Sequence, residues 1–216
     1  RFEAHSALIN EAAKKSELRG DGLAAHAIAK ALAEIKALSI DSPRSLVIGS
    51  DQTLEFGDYG MLDKPASRQE AFSQLRMLSG KSHFLHSAVV VAEGGQIVWR
   101  HVDTARLTMR PLSDRFLQDY LDLEYDRIRH SVGAYHIEGR GVQMFEWMEG
   151  NYFTILGLPL LPLLAYLRER EATPSSPAGA ADGRPLCRGH RRPYRPQQVA
   201  ADPPILAGEA GAARRL

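Results

Sequence analysis

The chain has 216 residues, 44% hydrophobic and 25% charged, which is an ordinary globular composition with room for one moderate domain and a proper core. A formal net charge of +1 gives no electrostatic case for a dedicated nucleic-acid binder, and the single cysteine, Cys187, excludes an intramolecular disulfide and makes a reducing, cytoplasmic compartment the default. The most apolar stretch, 155–167, falls short of the about 20 residues a membrane span needs and contains Pro159 and Pro162, so no membrane association is expected.

In chain order, residues 1–11 read as the end of a strand running into a loop. From Asp21 the pattern turns helical: Ala24, Ile28, Ala31, Leu32, Ile35 and Leu38 recur at three- and four-residue steps, which predicts one apolar stripe against a core. Leu46, Val47 and Ile48 then form a short buried strand that runs directly into Gly49, Ser50, Asp51 and Gln52. Gly57 to Gly60 is a turn. Ser67 with Glu70 matches a capping box, Phe72, Leu75 and Leu78 supply a helical face, and Gly80 stands where a C-terminal helix glycine belongs. The β-branched runs on either side of Glu93-Gly94-Gly95-Gln96 predict a hairpin. Ser113 caps a helix carrying Phe116, Leu117, Tyr120 and Leu121, a glycine-punctuated segment follows, and a last helix runs through Leu161 to Arg170. Strands alternating with helices predict an α/β domain over 1–170.

From Glu171 the composition changes. Residues 171–216 hold seven of the twelve prolines and seven arginines against four acids, with no periodic apolar face, so a disordered Pro/Ala/Arg-rich tail is expected. Its charges are scattered and only Tyr194 offers a stacking ring, which makes it a poor nucleic-acid arm.

Several groups of residues carry the chemistry. Gly80-Lys81-Ser82 looks like the end of a phosphate-binding loop, but that motif needs glycine where Leu75 stands, so a helix end followed by a strand is the better reading. His83 and His86 lie three apart in a strand and point to opposite faces; His130 and His136 straddle a loop, and none of these spacings fits zinc. Asp51 stands at a strand end, where α/β folds open a crevice for ligands, and Gly49 permits close backbone approach there. A turn-capping aspartate is the plain alternative. Lys36, late in its helix, and Lys64, restrained by Pro65, are each ordinary surface lysines taken alone; with Asp51 they can form a phosphate pocket. Glu138 sits between Gly133 and Gly139 in a loop suited to close wrapping.

The order of these motifs carries more than any one of them. Ile48-Gly49-Ser50-Asp51-Gln52, Lys64-Pro65, Leu78-Ser79-Gly80-Lys81, Gly133-Ala134-Tyr135 with Glu138-Gly139, Phe145-Glu146 with Glu149-Gly150, and Gly157-Leu158-Pro159-Leu160 together resemble the Maf family of nucleoside triphosphate pyrophosphatases. The resemblance covers roughly residues 2–168. It implies a two-lobed α/β domain with a central mixed sheet and a cleft, in a cytoplasmic homodimer. The implied reaction splits a nucleoside triphosphate between its α- and β-phosphates with a divalent cation, Mg²⁺ or Mn²⁺, in the removal of modified or non-standard nucleotides. By the same resemblance Asp51 is the catalytic acid/base position, Lys36 and Lys64 face the phosphates, Glu11 lies in the site, and Asp51 with Glu11 are the metal candidates. Ser50, Gln52 and Glu138 are the substrate-binding candidates. Gln52 and Glu138 match the members that act on 7-methyl-GTP rather than those acting on dTTP and UTP. The family opens with a strand followed by Ser-x-Ser-x-x-Arg, which has no match here, so an N-terminally incomplete domain is expected; Asn10-Glu11 stands where Asp-Glu is usual. The alternative function is a nucleotide-binding protein without turnover, acting through partners in septum formation.

Overall fold

The computed structural model describes residues 3–7, 9–57 and 60–172. They form α1 (Glu11–Gly20), α2 (Ala25–Leu38), β1 (Val47–Glu55), β2 (Met61–Leu62), α3 (Arg68–Leu78), β3 (Ser82–Glu93), β4 (Gln96–Met109), α4 (Asp114–Ile128), β5 (Phe145–Glu149), α5 (Tyr152–Ile155) and α6 (Leu160–Glu169). The α/β class stands. The strands make one sheet in the order β2-β1-β3-β4-β5. Where a mixed sheet was expected, every pairing among the described residues is antiparallel, because β3 returns along β1 after α3 and the chain then reverses tightly into β4. That reversal is the expected hairpin at Gly94-Gly95, whose φ angles of 55° and 75° are those a two-residue loop requires.

Local signals in the sequence became structure where they were chemically explicit. The Ser67 hydroxyl accepts from the Glu70 N–H to start α3, and Ser113 accepts from Phe116 to start α4. Gly80, at φ 69°, follows the end of α3 and leads into β3, so Gly80-Lys81-Ser82 is a helix end and strand start.

The sheet serves two cores, one at each end. At one end Leu54, Leu85 and Leu107 are buried against Leu75 and Leu78 of α3 and Leu117, Leu121 and Ile128 of α4. At the other, Ala88, Val90 and Ala92 pack on Ala29, Ala33 and Ala37 of α2, while Val89 and Val91 meet Leu163 of α6 on the opposite face. Between the cores two consecutive rungs are polar across three strands: Gln52 pairs Ser87, which pairs Asp103, and Thr53 pairs His86, which pairs Thr104. The break in apolar pattern after Ile48 is therefore one end of a polar belt that divides the domain.

Two helices depart from expectation. The buried residues of α2 are Ala25, Ile28, Ala29, Leu32, Ala33 and Ala37, and Leu38 is exposed, so the stripe is rotated toward alanine. Small side chains bring α2 so close to β1 that a Cβ on Gly49 would lie 2.2 Å from the Ala33 carbonyl oxygen. Residues 3–7 form no strand, and Asn10 caps α1 by accepting from Ala13. The one buried residue of α1 is Lys15, so no apolar period marked it as a helix. The expected tail at 171–216 lies outside the described residues apart from Glu171 and Ala172. Among the described residues, no helix is long and apolar enough to cross a membrane.

Candidate active site

Asp51 sits in β1 with its side chain on the α2 side of the sheet, 5% exposed. Its Oδ1 accepts from the Lys36 ammonium, which the last turn of α2 supplies. Its Oδ2 is buried with no hydrogen-bond partner among the described residues. Lys36 also meets Glu11 at 2.9 Å, and the other oxygen of Glu11 accepts from Lys64 at 3.1 Å. Carboxylates and ammoniums thus alternate in the order Asp51, Lys36, Glu11, Lys64, drawn from β1, α2, α1 and the loop after β2.

The electrostatics differ along this row. Burial raises the Asp51 carboxyl above its ordinary range, and the Lys36 ammonium offsets that only in part. Burial acts to lower Lys36, but Asp51 and then Glu11 outweigh it and hold the ammonium charged above its usual range. Burial acts to raise Glu11, while Lys36 and Lys64 together pull it below the usual carboxylate value. The deep end of the row therefore holds a carboxylate with raised proton affinity and a free oxygen.

These four residues line a cavity of about 350 Å³, together with Ser50, Gln52 and Glu138. All seven expected site residues are thus brought to one place. Ser50 and Gln52 stand on the opposite face of the sheet from Asp51 and reach the same cavity, because over 47–53 the only strand partner of β1 among the described residues is β3. Both make their hydrogen bonds to β3 and to α5 or the segment just after it. The Gln52 amide nitrogen lies 2.8 Å from Ser87 Oγ, 3.0 Å from the Thr154 carbonyl and 3.2 Å from that of Ile155. Carbonyls only accept, so the nitrogen must be the end turned toward α5. The Ser50 hydroxyl is within 2.9 Å of the carbonyls of Ala88 and Gly157, tying the strand to the segment after α5. Asp103 completes the belt by accepting from the Thr154 hydroxyl at 2.6 Å.

The model of the Maf-like protein family matches residues 1–170 of this chain. The chain belongs to the Maf family. It is 47% identical over 184 residues to the 7-methyl-GTP pyrophosphatase of Rhizobium johnstonii, covering 84% of this chain and 88% of that protein. It is 49% identical to the 7-methyl-GTP pyrophosphatase of Rhizobium meliloti, covering 78% and 85% of the two chains. To the nucleoside triphosphate pyrophosphatase of Hyphomonas neptunium it is 46% identical, covering 77% and 84%.

Within this Maf-family chain two glycines do a different task from the one their motifs suggested. Gly49 clears space for α2 rather than for a ligand, and it does not line the cavity. Gly133, at φ 77°, is buried where a Cβ would lie 2.6 Å from Leu54 Cδ1 and 2.7 Å from the Tyr135 ring, so it serves the core. Glu138 is exposed at the rim. Sequence reasoning treated His130 and His136 only as metal candidates and did not place Ile155, Leu156 and Gly157 at the site; all five line the cavity. The signal was present in the flanking Gly133–Glu138 and Gly157–Leu160 motifs. His83 and His86 lie in the body of the sheet: His83 Nε2 meets the Tyr135 hydroxyl at 2.7 Å while its Nδ1 has no partner among the described residues, and His86 meets Thr104 and Glu55.

Proposed function

We propose that this chain hydrolyses nucleoside triphosphates between the α- and β-phosphates, giving a monophosphate and pyrophosphate, with preference for 7-methyl-GTP or another modified nucleotide. The observation that carries the reading is Asp51: one carboxylate oxygen held by Lys36, the other buried without a partner among the described residues, on the wall of a cavity. Relatives of nearly half-identical sequence that bear pyrophosphatase names support it and disfavour a binding protein without turnover.

In this reading Asp51 Oδ2 takes the proton of a water as that water's oxygen bonds to the α-phosphorus. The bond from the α-phosphorus to the αβ-bridging oxygen breaks, and its electron pair leaves with pyrophosphate. Raised proton affinity suits Asp51 to this step, since an ordinary carboxylate is a weaker base. Lys36 and Lys64 offset charge on the phosphate oxygens. Asp51 and Glu11 are hard oxygen donors, and one or two carboxylates completed by substrate phosphates and water suffice for Mg²⁺ or Mn²⁺, so the residues fit a divalent cation without a third protein ligand. When bound, that cation would neutralise phosphate charge and acidify water. Glu138 favours a cationic base such as 7-methylguanine over a neutral one, and the Gln52 carbonyl oxygen, which takes no hydrogen bond among the described residues, is left to accept from the base. A cytoplasmic homodimer is the setting this reading implies.

The test is pyrophosphate release with Mg²⁺ or Mn²⁺ across 7-methyl-GTP, GTP, dTTP, UTP and CTP, with Asp51→Asn as control and Glu138→Gln as the selectivity variant. Turnover is expected with 7-methyl-GTP, abolished by Asp51→Asn, with the advantage over GTP reduced by Glu138→Gln. Binding of nucleotides without release from any of them would overturn the enzyme reading.

A further inference from the structure

Helix α1 poses a problem that the catalytic row does not answer. Its one buried residue is a lysine, and it has no apolar face to hold it. Glu11, Lys15 and Arg19 recur at four-residue steps and so share one side of the helix. That side lines a second cavity of about 460 Å³, whose walls also include Asp63 and Lys64. Glu11 and Lys64 belong to both cavities, so the second adjoins the first.

The charges of the two cavities are complementary to different parts of a nucleotide. The first sets Asp51, Glu11 and Glu138 against Lys36 and Lys64, and offers no surplus of positive charge for a polyanion. The second sets Lys15, Arg19 and Lys64 against Glu11 and Asp63. Lys15 meets Asp63 at 2.8 Å and Arg19 meets it at 3.0 Å, both through single contacts. An ammonium has three donors and a guanidinium five, so most of their hydrogens have no acceptor among the described residues, although the Lys15 side chain is only 9% exposed. A nearly buried ammonium with spare donors facing a cavity is a site for an anion.

We propose that Lys15 and Arg19, with Lys64, form a subsite for the β- and γ-phosphates of the substrate and for the pyrophosphate they become. The subsite rests on the triphosphate reading above and extends it: the base end lies toward Glu138, the α-phosphate at Asp51, and the leaving group along α1. Lys64, shared by both cavities, stands where the scissile bond would cross from one to the other.

The experiment is calorimetric titration of the full chain with inorganic pyrophosphate and, separately, a nucleoside monophosphate, both with Mg²⁺. Arg19→Ala and Lys15→Met are each expected to weaken pyrophosphate about tenfold or more, the scale of a lost charged hydrogen bond, and to leave monophosphate affinity unchanged. Lys15→Arg should retain pyrophosphate binding. Arg19 is 43% exposed, so Arg19→Ala tests the subsite even where Lys15→Met fails to fold. Unchanged pyrophosphate affinity in both variants, or equal loss for pyrophosphate and monophosphate, overturns the subsite. The two readings fail separately: hydrolysis by a wild-type chain whose pyrophosphate affinity ignores Lys15 and Arg19 removes the subsite alone. Pyrophosphate binding that depends on them, without release from any triphosphate, keeps the subsite and removes the hydrolase.

Discussion

The amide nitrogen of Gln52 lies 3.0 Å from the carbonyl oxygen of Thr154, 102 residues away in sequence. With Ser87 and Ile155 as further acceptors, this contact fixes which end of the amide the cavity receives. Gln52→Glu places a carboxylate against two carbonyl oxygens and removes the amide donor they share, although the Thr154 carbonyl keeps donors from the Ser87 hydroxyl and the Gly157 N–H. A loss of about 1–3 kcal/mol is expected, read from the urea midpoint, because a carboxylate then faces carbonyl oxygens with no hydrogen bond between them. Turnover should fall as well, since α5 carries the Ile155–Gly157 wall. An unchanged midpoint would show that Gln52 does not hold α5.

Asp51 should set the acid limb of the pH–rate profile. Its folded pKa lies above the ordinary 3.8, so kcat/KM is expected to rise with pH only above the usual carboxylate range, as Oδ2 loses its proton. Lys36, raised above 10.5, stays charged across that range and contributes no alkaline limb below it. A limb at the ordinary aspartate value would argue that the base is a different, more exposed carboxylate.

Stability should respond to acid with the opposite sign at α1. Glu11 is depressed by Lys36 and Lys64 against the effect of burial, and Asp63 likewise by Lys15 and Arg19. The stability these pairs contribute is present above the unfolded values of 4.5 and 3.8 and is lost as pH falls through the lower folded values. Asp51 works the other way, since a raised carboxyl makes stability fall as pH rises from 3.8 to its folded pKa. Urea midpoints measured between pH 6 and pH 3 should drop toward acid, and Glu11→Gln combined with Asp63→Asn should flatten that drop.

Gly49→Ala is expected to cost about 1–3 kcal/mol or more, as overpacking does in a tight core. The new Cβ would meet the Ala33 carbonyl oxygen at 2.2 Å and the Ala37 nitrogen at 2.7 Å, both backbone, so no rotamer change relieves it. Because α2 also carries Lys36, turnover should fall with stability. Adding Ala37→Gly removes a methyl but not the backbone clash, and should restore neither; full recovery in the double variant would refute the backbone origin.

The sequence by itself determined what short-range chemistry determines. Ser67 and Ser113 began their helices, Gly94-Gly95 closed the hairpin, and the order of motifs around Asp51, Lys64, Glu138 and Gly157 carries the family likeness. Those features depend on neighbours a few residues away, or on residue types whose chemistry is the same in any context. Tertiary structure decided the rest. α1 was illegible because ion pairs to Asp63, Lys36 and Lys64 hold it, and ion pairs leave no periodic trace. The face of α2 turned toward alanine because Gly49, on another element, let the backbones close. Gln52 became a brace for α5 through contacts more than 100 residues distant. A strand tells which residues share a face; only the packed domain tells which of them meets a helix, which meets a cavity, and which bridges the two.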